Sequence, residues 1–109
     1  MRGEVNESDW KLFRKKIGGW QEAYMEKLCG EYMALLAKEG KGSDKFWKLE
    51  KRIRKDKKST GVVAEMSRSC MVTNLVNLYL EGAITKEDLS DFSIELQNQV
   101  LGTVEFFSS

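Results

Sequence analysis

The chain has 109 residues, 41% apolar and 32% charged, with no proline, no histidine, two cysteines and a net charge of +1. That length carries one hydrophobic core and excludes two. Without histidine, Ser-His-Asp and Cys-His catalysis are excluded, and two cysteines cannot complete a structural zinc set without carboxylates or a second chain.

Asn6 or Ser8 is placed to cap a first helix, with Asp9 favourable in its first turn and Trp10, Phe13 and Ile17 on one face. Gly18-Gly19 interrupts it as a kink or a turn. A second helix over residues 20–38 repeats the period with Tyr24, Leu28, Tyr32 and Leu35, widened by Met25, Cys29 and Leu36. Gly40-Lys41-Gly42 reads as a loop, and Ser43-Asp44 as the cap of a third helix.

That third helix, residues 45–58 (KFWKLEKRIRKDKK), separates its residue types most cleanly. At 100° per residue Phe46, Leu49 and Ile53 share a narrow arc, while Lys45, Lys48, Lys51, Arg52, Lys55 and Lys58 lie opposite. Residues 41–58 sum to +6, against 0 for residues 1–40 and −5 for residues 59–109, so a near-neutral total conceals a dipolar chain.

Ser59-Thr60-Gly61 ends the basic helix. A central fourth helix is predicted over residues 62–81, where Val63, Met66, Cys70, Val72, Leu75, Val76, Tyr79 and Leu80 are apolar around more than one face. Gly82 suits the left-handed position after its end. Thr85 and Asp88 form a capping box, and Ile84 staples to Leu89. A fifth helix continues through Phe92, Leu96 and Val100 to Gly102, and Phe106 and Phe107 make the tail too apolar for a purely solvated end.

These elements predict one all-α domain spanning residues 1–109, a compact bundle of four to five helices with flexible ends at about 1–6 and 103–109. Cys29 and Cys70 sit in apolar helical patterns and are expected to be buried reduced thiols. No apolar run approaches the ~20 residues of a spanning helix, and MRGEVNESD lacks the apolar stretch of a secretory signal. A cytoplasmic protein without a membrane segment, cofactor or metal is expected.

Little catalytic chemistry is on offer. Ser67, Ser69 and Cys70 have only Arg68 as a neighbouring base, and it stays protonated. The carboxylates Glu87, Asp88, Asp91 and Glu95 lack the alternating oxygen ligands of a calcium loop and read as a solvated acidic face. No catalytic residue is assigned, and an enzyme is not expected.

Binding is better supported. The six basic-face residues, with Trp47 and Arg54 beside them, provide phosphate-neutralising charge and a stacking group, so nucleic acid is one candidate partner. The acidic fifth helix argues against a helix-turn-helix reader. Trp47, Arg54, Phe106 and Phe107 are candidate anchors for a protein or nucleoprotein partner, and a dipolar chain can also form a homodimer, basic helix on acidic helix.

The succession DWKLFRKKIGGWQEAYM, then FWKLEKRIRKDKK, then MSRSCMV followed by LEGAITKEDLSDFS, resembles a family of short helical proteins from Gram-positive gut bacteria and their mobile elements. The resemblance covers about residues 9–96. It implies a habitat, and the family has no established activity or site residues. Small charge-polarised helical proteins of mobile elements include inhibitors of host defence such as anti-CRISPR proteins. By that analogy the expected function is a small non-enzymatic binding or inhibitor protein, with non-specific nucleic-acid binding as the alternative.

Overall fold

The computed structural model describes residues 6–108, and its regular elements are all helical. Four α-helices follow in order: α1, Glu7–Ala37; α2, Gly42–Asp56; α3, Met71–Leu80; and α4, Ile94–Ser108. Short 3₁₀ turns at Arg68–Cys70 and Glu87–Leu89 precede α3 and α4.

Asn6 caps α1, its Oδ1 accepting from the amides of Ser8 at 2.8 Å and Asp9 at 3.2 Å. The helix then runs straight through Gly18-Gly19, so the two predicted helices are one. Mid-helix glycine costs about 1 kcal/mol relative to alanine. Packing on either side offsets that cost: Phe13 and Ile17 are buried, and Trp20 lies against the same core.

That core is a head built from the first part of α1, α3, α4 and the turns between them. Its centre holds Phe13, Leu75, Leu78, Leu89 and Val100, all fully buried. Aromatic rings line it in sequence: Trp10 to Phe13 at 6.0 Å, Phe13 to Trp20 at 6.5 Å, and Trp20 to Phe92 at 6.3 Å between centroids. Trp10 and Phe92 are buried, whereas Trp20 and Tyr24 are only partly so.

Two predicted helices are shorter or displaced. The fourth begins at Met71, because residues 62–67 run without helix, with Val63 and Met66 exposed. Two long-range interactions hold that segment open. The Glu81 carboxylate accepts the amides of Thr60 at 3.0 Å and Gly61 at 2.9 Å, and buried Asn74 donates to the Glu65 carbonyl at 2.9 Å.

The turn after α3 forms as predicted. Gly82 has φ 80°, the Thr85 amide donates to Asp88 Oδ2 at 2.7 Å, and the Asp88 amide donates to Thr85 Oγ1 at 3.4 Å. The box starts only a 3₁₀ turn, however. Ser93 takes over as the cap of α4: its hydroxyl accepts the Leu96 amide at 3.2 Å and donates to the buried Asp9 carboxylate at 2.6 Å. Nor does Gly102 close the last helix, which continues to Ser108.

The remainder of α1 and all of α2 project from the head as a helical hairpin, here called the arm. The described chain measures 57 × 30 × 21 Å with a radius of gyration of 16.5 Å, against about 13 Å for a compact domain of 100 residues. The bundle is extended rather than compact. In the arm α1 has a single neighbouring helix, which explains why Cys29, expected to be buried, is exposed; Cys70 is partly buried and both thiols are free.

Candidate functional site

The arm carries most of the residues singled out in the sequence, and it presents them differently from the expected apolar and basic halves. Gly42 opens α2 with no side-chain cap, so Ser43 and Asp44 lie inside its first turn. The helix turns a mostly polar stripe toward α1. Lys45 Nζ donates to the Leu36 carbonyl at 3.2 Å, Arg52 pairs with Glu31 and with Asp56 at 3.0 Å, and buried Asp56 accepts the Tyr32 hydroxyl at 2.6 Å. This contact lies about 70° round the helix from the predicted apolar arc.

Charge pairing and burial set the electrostatics of this seam. Burial, with the Asp56 hydrogen bond second, pushes the Tyr32 hydroxyl up to about 12. The Glu31 hydrogen bond raises the Arg52 guanidinium above its ordinary value, and Arg52 also lies 5.6 Å from the Tyr32 ring centroid. Below the seam, Gln21 donates to the Thr60 carbonyl at 2.9 Å. Gly61 lies so close to Tyr24 that an added Cβ would fall 2.6 Å from its Cγ.

The predicted basic face therefore divides. Lys45 and Arg52 belong to the seam. Lys48, Lys51, Lys55 and Lys58 are exposed, and no ion pair engages them among the described residues. Arg54 is exposed but forks onto Glu50 one turn earlier, at 2.5 and 3.1 Å, and this pairing raises its pKa further. Trp47 is 63% exposed and stands edge-on to Phe46 at 4.9 Å. A shallow open hollow of about 450 Å³ joins Trp47 to Ser43, Asp44, Lys48 and Lys51.

Phe46 and Ile53, expected in the core, are 62% and 37% exposed. With Leu49, Glu50, Arg54 and Lys57 they line a second open groove of about 410 Å³. The sequence showed the apolar arc but held no sign of which helix would cover it. Phe106 and Phe107 lie on the last turn of α4, exposed and 5.3 Å apart, so the candidate anchors fall on two separate elements.

The other polar clusters are paired within the chain or dispersed. Ser67 and Ser69 sit at the 3₁₀ turn with hydroxyls 3.4 Å apart, and Arg68 between them is held in a fork by Glu7 at 2.8 and 3.0 Å, which lowers the Glu7 pKa. The acidic residues are dispersed: Asp88 caps a turn, Asp91 faces Lys16 at 3.5 Å, and no group among the described residues has a metal-binding arrangement. Among those residues no helix is long and apolar enough to cross a membrane. Comparison with protein-family models, curated proteins and solved structures returns no match.

Proposed function

We propose that this protein is a non-enzymatic binding module whose projecting arm lays the Lys48, Lys51, Lys55 and Lys58 stripe on an acidic protein or nucleoprotein surface. One observation carries the reading: three other cations of the helix, Lys45, Arg52 and Arg54, have partners within the chain, whereas this stripe has none among the described residues. Four like charges held together without counter-ions raise the local potential and attract an opposite surface. In the inhibitor form of this reading, the arm covers a surface that its partner otherwise gives to nucleic acid.

Charge reversal tests the proposal. Lys48→Glu, Lys51→Glu and Lys55→Glu together leave the seam and the head untouched, so the fold should persist while partners captured from a native lysate are lost. Retention of the same partners would sink the reading.

Trp47 beside Lys48 and Lys51 favours a second reading, non-specific binding of single-stranded nucleic acid through stacking and phosphate contacts. Titration of labelled oligonucleotides decides it. Binding should weaken steeply between about 50 and 200 mM salt, and no binding at low salt rejects it.

A further inference from the structure

The lysines of α2 do not stand alone on their flank of the arm. The Arg52–Glu31 pair bridges the two helices on that side. At 100° per residue Lys48 and Lys55 lie about 40° and 60° beyond Arg52, away from the seam, while Lys27 and Lys38, the latter capping the end of α1, lie about 40° and 20° beyond Glu31. Because the helices run antiparallel, with Arg52 opposite Glu31 and Lys45 reaching Leu36, Lys27 comes near the level of Lys55 and Lys38 near that of Lys48. All four are exposed, and none is in an ion pair among the described residues. Four cations thus surround a pair that is already satisfied, in two rows set by helix axes about 8–10 Å apart.

We infer that this flank grips the phosphate backbone of double-stranded nucleic acid without reading its sequence. The inference rests on the lysine surface proposed above, extends it onto α1 and names its partner. Charge selects a polyanion. Within about 60° of Lys48, α2 carries only Asp44, Lys45, Lys51, Arg52 and Lys55, so a single acid stands among cations and no apolar side chain is present.

What the flank lacks decides which polyanion. Protein interfaces are depleted in lysine and anchored by aromatic, methionine or arginine side chains, and this flank inverts that composition. Single strands are held on aromatic platforms, but Trp47 lies about 140° round α2 from Arg52, on the outward face. Base edges are read by free arginine, asparagine or glutamine, and here Arg52 and Arg54 are committed to Glu31, Asp56 and Glu50. Phosphate contact remains, and two rows of lysine suit the two strands that border a groove about 6–12 Å wide better than a single track of phosphates.

Anisotropy titration of labelled duplexes of about 20 base pairs, in two unrelated sequences, and of a single strand of the same length tests it from about 20 to about 150 mM salt. Both duplexes should bind alike and more tightly than the single strand, with a slope of log affinity against log salt of about −4, close to one unit per lysine. Lys27→Ala with Lys38→Ala should weaken duplex binding about 10-fold or more and reduce that slope by about 2, with helical circular dichroism retained. Lys11→Ala with Lys15→Ala removes the same charge from exposed positions in the head, more than a screening length away, and should leave binding within about twofold. No binding at the lowest salt, a single strand held as tightly as duplex, wild-type affinity in the Lys27/Lys38 variant, or equal losses in the two double variants overturns the inference. If nuclease-treated lysate still yields partners that reversal of Lys48, Lys51 and Lys55 loses, the proposed function survives that failure.

Discussion

The head and the arm share one long helix but hold together by different means. In the head, α1 meets α3, α4 and the turns around Ile84 and Leu89, and buried aromatic and aliphatic side chains supply the cohesion. In the arm the same helix meets only α2. There Leu28 is the buried apolar side chain, and a polar stitch of Tyr32, Asp56, Arg52 and Glu31 does much of the joining. Burial in the head is non-directional and grows with area, while the arm depends on a few oriented groups and on its foot, where Glu81 and Gln21 grip the Thr60-Gly61 turn. Most of the arm's surface stays exposed because so little of it is used to hold the two helices together.

Phe13→Ala should show the largest effect, because it empties the fully buried centre of the head. A loss of about 3–5 kcal/mol is expected in urea denaturation, with α3 and α4 losing amide protection together. If the loss were confined to the arm, the division into two regions would fail.

Gly61→Ala probes the foot. Its Cβ meets the Tyr24 ring, and overpacking of this kind costs about 1–3 kcal/mol. Hydrogen exchange should report the loss in residues 21–58 and leave α3 and α4 protected.

Asp56→Ala removes the acceptor of Tyr32 and a partner of Arg52, at a cost of about 1–2 kcal/mol. The same stitch has a pH signature. Because the hydroxyl of Tyr32 is raised from its model-peptide value of 10 to about 12 in the folded chain, its contribution is complete below pH 10 and is lost as pH rises through about 12. Spectroscopic titration should show one tyrosine ionising near 12, and Asp56→Asn should move it down. An unchanged titration would remove Asp56 from the stitch.

Trp47→Ala should have the smallest effect on stability, within about 0.5 kcal/mol, since the side chain is mostly in solvent. A larger loss in thermal melting would mean that the α2 surface supports the arm after all.

Much of the local structure was legible in the sequence. A cap at Asn6, one of the two candidates with Ser8, Gly82 at a left-handed turn and the Thr85-Asp88 box all formed, because each is settled within about one turn of chain. Trp10, Phe13 and Ile17 reached the core for the same reason: their spacing fixes one face whatever else the chain does. Helicity itself, with no proline to break it, follows from residue preferences along the chain.

Tertiary structure decided where helices stop and which faces meet. The segment 62–67 stays open because Glu81 and Asn74 engage its backbone or the turn just before it, from 9 to 21 residues away. Helix α4 starts at Ile94 because Ser93 answers to Asp9, 84 residues distant. Gly18-Gly19 stays helical because Phe13, Ile17 and Trp20 share one core. The basic helix shows the limit most clearly: its periodicity separated apolar from charged residues, yet burial of Asp56 against Tyr32 and Arg52 turned Lys45 and Arg52 inward and left Phe46 outside. Periodicity reports only how one helix is divided, whereas the face that becomes buried depends on the partners that distant segments bring to it.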